Sequence, residues 1–303
     1  MNTVSPDVPS SRIVMFGLQC AFTDAVAAGL VERGLPPLAL IIQGHPNLER
    51  PVHVGTQRSR LPIAGTQPTN VAREYPTFQI GNLTSLPTLE LIESFRPDVI
   101  VVACFLSLIP YAIRDIPRWT AINIHPSLLP AHRGPDPLFW IMRDGGAGCG
   151  VTVHEMSSRF DAGDILAQRA IPYPQGTREH NLERLLARAG AELVSEIITS
   201  RTSGGPHRRA QDESAATYES WPDASDYLIS VDRPVRDAWN FIRGVSGRGV
   251  PVRIETGSGV LCVSDATDYQ TSSAPPAMLN DGEIVIEFLG GWLLARAYEL
   301  RSR

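Results

Sequence analysis

The chain has 303 residues, of which 43% are hydrophobic, and this is enough apolar material for one large domain and a smaller one. The formal charge of −5 gives no overall attraction to a phosphate backbone, and all 27 basic residues are arginine, which excludes a Schiff-base lysine and a Walker-type phosphate lysine. The four cysteines have no short paired spacing, so we expect neither a zinc site nor a disulfide framework and interpret them as small buried apolar residues.

The first eleven residues are polar, contain proline and show no charged region leading into an apolar run. They therefore predict a loose terminus rather than a secretory signal. No apolar run approaches the roughly 18 residues that are needed to span a membrane. We expect a cytoplasmic protein without a membrane partner.

The first third of the chain alternates buried strands and helices. Residues 12–17 predict a strand, residues 21–33 a helix that stops at Gly34, and residues 37–43 a second buried strand. This βαβ opening indicates an α/β fold with a doubly wound, mostly parallel sheet. The turn after the first strand lacks the G-x-G-x-x-G fingerprint, so we do not expect a dinucleotide cofactor.

The segment 44–74 has no clear periodicity, contains Arg50, Arg58 and Arg60, and is long for a connection inside a compact domain. Loops of this length often contact a substrate, yet a solvent-exposed loop without a binding role explains the composition equally well. Both interpretations stay open.

The elements that follow complete a first domain over residues 1–203. They are a helix capped by Ser85 and ended by Pro97, a central strand over 98–105, a short helix over 136–144, a strand over 150–156, a strand over 165–170 and an amphipathic helix over 181–200. Residues 204–219 are polar and predict a linker.

Residues 220–303 predict a small β-rich, open-barrel (OB-like) domain, because one helix over 234–243 is followed by two glycine-broken hairpins, at 250–264 and 283–297. Trp221, Trp239 and Trp292 are interpreted as buried aromatic anchors of this domain, with stacking on a base or a sugar as the alternative.

Two polar residues mark the end of a further predicted strand, which lies between the strand over 98–105 and the helix over 136–144. Ile122 and Ile124 alternate with Asn123 and His125, so the two polar side chains share one face of the strand. Prolines at 126 and 130 end the strand directly afterwards. Ligands bind at the carboxyl ends of strands in open α/β sheets, which makes this pair a candidate site.

A longer pattern contains this pair. Asn123-Ile-His125-Pro-Ser-Leu-Leu-Pro130 with Arg133-Gly134, followed by Gly150-Val-Thr-Val and by Asp161-Ala-Gly163-Asp-Ile-Leu166, resembles the formyltransferase family that uses 10-formyltetrahydrofolate. The resemblance covers residues 12–200 and, more loosely, 218–300. It implies a catalytic domain with an open-barrel domain behind it, and direct formyl transfer without a metal.

The resemblance also implies roles for single residues. Asn123, His125 and Asp161 fall on the catalytic positions, with Asn123 and His125 as donors to the developing oxyanion and Asp161 as partner of His125. The folate ring is expected against Phe105, Leu106, Leu108, Ile109, Pro110, Phe160, Ala162, Gly163 and Asp164. Leu106, Leu108 and Ile109 could equally belong to the core. Ser127, Arg133 and Gly134 are assigned to binding of the acceptor.

Three functions compete for this site. The net negative charge and the absence of lysine favour a small-molecule primary amine, such as an amino sugar on a nucleotide, as the acceptor. The alternative acceptor is initiator methionyl-tRNA, since the net charge of the whole chain does not reveal a local basic patch that could bind RNA. A hydrolase that releases formate from the same donor, or a non-catalytic folate-binding module, is the alternative of another class.

Overall fold

The computed structural model describes residues 11–58, 74–201, 204–277 and 279–298. Most of the predicted loose terminus and the part of segment 44–74 that contains Arg60 lie outside these residues. The described residues form two compact units. The first consists of the chain up to residue 133 with residues 150–171 and 183–217, and the second consists of residues 134–149 and 172–182 with the chain from residue 218 onward.

Eight strands form the sheet of the first unit. They are β1 (Ile13–Gly17), β2 (Pro37–Gln43), β3 (Val52–Arg58), β4 (Glu74–Ile80), β5 (Val99–Ala103), β6 (Thr120–His125), β7 (Gly150–Glu155) and β8 (Ile165–Ala170). Their order is β3-β4-β2-β1-β5-β6-β7-β8. The five central strands pair in parallel, whereas β3, β7 and β8 pair antiparallel with their neighbours. The predicted fold class is confirmed.

Six α-helices occur in the described part of the chain: α1 (Ala21–Glu32), α2 (Leu86–Ser94), α3 (Tyr111–Arg114), α4 (Pro137–Arg143), α5 (Glu179–Ser200) and α6 (Val235–Val245). The hydroxyl of Ser85 accepts from the Thr88 amide, which confirms the predicted cap of α2. In the first unit, a Cβ on Gly190 of α5 would lie 2.4 Å from Ile124 Cγ2, so the absence of a side chain allows α5 to approach β6 closely. None of the helices that the structure describes is long and apolar enough to cross a membrane.

Strand β3 lies in the segment that the sequence predicts to be irregular, and that part of the prediction is wrong. It pairs antiparallel with β4 at the edge of the sheet, and Val52 and Val54 are 44% and 43% exposed. A strand shows period-two alternation when one of its faces is buried. Because the valines of β3 remain half exposed, its sequence lacks that signal.

The second unit contains a five-stranded sheet with α4 and α6. Its strands are β9 (Leu228–Ser230), β10 (Val252–Thr256), β11 (Gly259–Gln270), β12 (Glu283–Phe288) and β13 (Gly291–Ala297), in the order β12-β13-β11-β10-β9. Both predicted hairpins are confirmed, as β10–β11 and β12–β13. Trp239 packs on Tyr269 as an anchor would, with ring centroids 5.0 Å apart, while Trp221 is 58% exposed.

Candidate active site

The site begins at the last residues of β6. Asn123 is partly buried and His125 is 4% exposed, while Ile122 and Ile124 are buried in the core, as the alternation along the strand predicts. The chain passes from β1 through β2 and β4 on one side of β1 and continues with β5 and β6 on its other side. Asn123 and His125 therefore lie at the carboxyl edge of the sheet, next to the point where its winding reverses.

Asp161 reaches this edge from the turn between β7 and β8. Its Oδ1 atom lies 3.5 Å from Nδ1 of His125 and 3.5 Å from Nδ2 of Asn123. The side chain is 10% exposed, and its backbone has the left-handed φ of +53°. The structure thus brings together the three residues that the resemblance assigns to catalysis.

The turn that holds Asp161 depends on Gly163. A Cβ built on Gly163 would lie 1.8 Å from the backbone oxygen of Glu155 and 2.8 Å from its carbonyl carbon. These are main-chain atoms at the end of β7, and Glu155 itself donates its amide to the Asp164 carbonyl. Any side chain at position 163 would push the turn away from the strand, and Asp161 with it.

The hydrogen bonds of His125 fix which of its nitrogens carries a proton. Nε2 lies 2.7 Å from the backbone oxygen of His132, and because a carbonyl only accepts, Nε2 is the donor. Burial lowers the pKa of His125, against the opposing effect of the Asp161 carboxylate, so the ring is neutral near pH 7. Nδ1 then presents a lone pair on the side of Asp161. In this state His125 can accept a proton, and it can donate through Nδ1 only after it has done so.

Sequence reasoning missed His154. It lies on β7 directly opposite Asn123 in the antiparallel register and is 2% exposed. Nδ1 donates to the Glu155 carbonyl over 2.8 Å, so Nε2 accepts from Asn123 Nδ2 over 3.1 Å and lies 3.7 Å from Asp161 Oδ1. His154 therefore fixes the orientation of the Asn123 amide. Only the β6–β7 register, which the sequence does not state, would have revealed it.

A cavity opens beside these groups, within the first unit. It is lined by Val102, Phe105, Ser107, Leu108, Asn123, His154, Met156, Ser157, Arg159, Phe160 and Asp161. This lining combines apolar side chains with hydrogen-bonding groups, which suits a flat ring with polar edges. Among residues 11–58, 74–201, 204–277 and 279–298, no group of three or more His, Cys, Asp or Glu side chains is arranged to hold a metal ion.

The residues expected to bind the folate ring have different positions. Phe105, Leu108 and Phe160 line the cavity. Ile109 is fully buried in the core of the first unit, whereas Leu106 is 55% exposed. Pro110 is the residue that precedes α3. Ala162, Gly163 and Asp164 belong to the turn that holds Asp161, and their contact with the donor stays a prediction.

The residues assigned to the acceptor have partners inside the protein. Ser127 is buried, and its hydroxyl donates to the Ala131 carbonyl over 2.7 Å. Arg133 is 6% exposed and is bound by Gln211 and Glu213. Gly134 is in the second unit and has a φ of +120°. None of the three is among the residues that line the cavity, so their contact with the acceptor also stays a prediction.

Two cysteines interact at the same edge of the sheet, although the sequence predicts inert buried thiols. Cys20 precedes α1, and Cys104 follows β5 with a φ of +59°. A hydrogen bond from Cys104, together with the Thr23 hydroxyl 3.4 Å away, lowers the pKa of the Cys20 thiol to about 6.

We therefore expect alkylation of Cys20 by iodoacetamide to be half-maximal near pH 6, because the thiolate is the nucleophile. The measurement is the pH dependence of labelling, read by peptide mass spectrometry, with the exposed Cys262 as internal reference and Cys104→Ala as the variant that removes the hydrogen bond. An unchanged profile in Cys104→Ala would contradict this account.

Comparison with known proteins identifies the family. Residues 55–198 match the model of the formyl transferase family. The chain is similar to a methionyl-tRNA formyltransferase from Pelobacter propionicus, with 30% identity over 295 residues that cover 97% of this chain and 90% of the relative.

Two solved structures share the fold. HypX from Aquifex aeolicus, solved in complex with tetrahydrofolic acid, has a TM-score of 0.61 at 17% identity. The match covers 94% of this chain and 43% of HypX, so the chain spans less than half of that protein. A sugar N-formyltransferase from a Shewanella species has a TM-score of 0.53 at 16% identity and is covered over 96% of its length, against 83% of this chain. With full-length similarity at 30% identity, the chain belongs to the formyltransferase family, whose formyl donor is 10-formyltetrahydrofolate.

Proposed function

We propose that this enzyme transfers the formyl group of 10-formyltetrahydrofolate to the primary amine of a small molecule, such as an amino sugar on a nucleotide. The observation that carries the choice of acceptor is the pairing of the arginine at the cavity. Arg159 lines the cavity and pairs with Glu213, which also pairs with the buried Arg133. These two guanidinium groups hold the pKa of Glu213 at about 2, so its carboxylate is ionised and offsets one of their two positive charges. The single net positive charge of this cluster suits the phosphate of a small molecule better than the many phosphates of a tRNA backbone.

The proposed mechanism uses Asn123, His125 and Asp161, whose side chains meet at the end of β6. The acceptor amine attacks the formyl carbon, and Asn123 Nδ2 donates to the oxygen that gains negative charge. His125 Nδ1 takes the proton that the amine loses, and Asp161 stabilises the imidazolium that results. The proton then passes to the folate nitrogen that leaves, so the products are the N-formyl acceptor and tetrahydrofolate.

Initiator methionyl-tRNA is the second candidate acceptor. It is favoured by the similarity to the methionyl-tRNA formyltransferase of Pelobacter propionicus, which extends over 97% of this chain and so includes the second unit. Against it stand the formal charge of −5 and the absence of lysine.

A panel of acceptors tests the proposal. Purified enzyme is incubated with 10-formyltetrahydrofolate and either nucleotide-linked amino sugars, free amino acids or initiator methionyl-tRNA, and N-formyl product is measured by mass spectrometry. We expect formylation of a small amine and weak binding of the tRNA in mobility-shift assays at two salt concentrations. Formylation of the tRNA alone would overturn the choice of acceptor, and rapid formate release without any amine would overturn transfer itself.

A further inference from the structure

The segment 209–217 connects two parts of the site, although its polar composition predicts a linker. Arg209 forms an antiparallel bridge with Ile165 of β8, with N–O distances of 2.8 and 3.0 Å. Residues 213–215 then form a short 3₁₀ turn that is capped by Asp212. The segment is therefore an ordered part of the first unit. The side chains of Gln211, Glu213 and Thr217 bond to residues of the loops beside His125 and Asp161, and those of Gln211 and Thr217 contact the main chain of these loops.

Gln211 holds the turn of Asp161. Its Nε2 donates to the carbonyl oxygens of Asp161 and Gly163, over 2.8 and 2.7 Å. Its Oε1 accepts from Nε and Nη2 of Arg133, over 3.2 and 2.8 Å, which fixes the direction of the amide. The amide group thus has a partner on each side, and Asp161 keeps a left-handed backbone that is unfavourable for a residue with a side chain.

Thr217 holds the loop that orients His125. Its Oγ1 accepts from the amide of His132 over 2.8 Å. Its backbone amide donates to Pro130 over 3.1 Å, and its carbonyl accepts from Arg133 over 3.1 Å. The carbonyl of His132 is the acceptor for Nε2 of His125, so Thr217 fixes the group that determines which nitrogen of His125 is protonated.

We propose that Gln211 and Thr217 are positioning residues for formyl transfer, because one short segment fixes the Asp161 turn and the acceptor of His125 relative to each other. The proposal rests on the proposed roles of His125 and Asp161. Their separation of 3.5 Å is set by loops that are far apart in sequence, and a displacement of about 1 Å can lower a rate on the order of 100-fold.

Kinetic measurements on the full chain test the proposal. Gln211→Ala and Thr217→Val should each lower kcat about tenfold to 100-fold, whereas KM for the acceptor changes little. Ser214→Ala, which removes an exposed hydroxyl from the same segment, serves as the matched control. In an Asp161→Asn background Gln211→Ala should cause no further loss, because Gln211 acts through Asp161. Full additivity of the two changes, or normal kcat in Gln211→Ala, would overturn the proposal.

A spectroscopic measurement separates this proposal from the proposed function. The imidazole of His125 is titrated by NMR in the unmodified chain and in Gln211→Ala, with His125→Gln used for assignment. The Asp161 carboxylate raises the pKa of His125, and the neighbouring rings His154 and His132 lower it. Displacement of Asp161 should therefore lower the pKa of His125 in Gln211→Ala, toward the value in Asp161→Asn.

If no amine is formylated by the unmodified enzyme while the titration shifts as expected, the proposed function fails and the positioning role stands. If Gln211→Ala leaves the titration of His125 unchanged, the positioning role fails, whatever the acceptor. Should Gln211→Ala unfold, Thr217→Val is titrated instead. It loosens the His132 carbonyl, whose hydrogen bond raises the pKa of His125, so this pKa should again fall, and an unchanged titration would overturn the positioning role. Thermal unfolding of every variant is recorded beside the titration.

Discussion

Asn123→Ala should lower kcat for formyl transfer about 10²–10³-fold while the fold stays intact, because the variant removes a donor aimed at the developing oxyanion. Nδ2 of Asn123 lies 3.1 Å from Nε2 of His154 and 3.5 Å from Oδ1 of Asp161, and these two contacts orient the amide. Steady-state kinetics with the best acceptor of the panel, and thermal unfolding of the same preparation, provide the measurement.

Asn280→Ala, which removes an exposed amide in the second unit, is the matched control and should retain normal kcat. His125→Ala and Asp161→Ala should also lose most turnover. The loss in Asn123→Ala should be seen in kcat more than in KM, since a donor to the oxyanion acts in the transition state. Turnover within a few fold of normal would remove Asn123 from the mechanism.

Gly163→Ala should reduce turnover about 100-fold and lower the free energy of unfolding by about 1–3 kcal/mol. The added methyl group would lie 1.8 Å from the carbonyl oxygen of Glu155, and neither main chain can move without breaking the pairing of β7. Turnover and urea unfolding are measured side by side.

Gly247→Ala is the control for this substitution, since a Cβ at position 247 meets no atom within 4 Å. It should change the free energy of unfolding by no more than about 0.5 kcal/mol. If Gly163→Ala were as active and as stable as Gly247→Ala, the Asp161 turn would have more freedom than the contact with Glu155 allows.

Elements with a buried face were predictable from the sequence. The alternation of Ile122 and Ile124 with Asn123 and His125 set the two faces of β6, and Ser85 marked the start of α2, since each signal comes from residues close together in the chain. Strand β3 was not predicted, because its pairing with β4 is a long-range contact that leaves its valines half exposed.

The site was predictable in part and for two different reasons. Asn123 and His125 followed from the strand pattern, whereas Asp161 was assigned through the family resemblance and not from its surroundings in the chain. His154 gave no local signal. It meets Asn123 only because β6 and β7 are antiparallel and in register at these two residues.

By itself, the sequence determined that polar groups for carbonyl chemistry stand at the end of a buried strand, because strand periodicity and proline act over a few residues. Tertiary structure alone decided how these groups work. The carbonyl of His132 selects the proton-bearing nitrogen of His125, and Gln211, 50 residues from Asp161, holds the carbonyl of that residue. Such contacts join residues that only folding brings together, so the protonation and spacing of the site are properties of the folded chain.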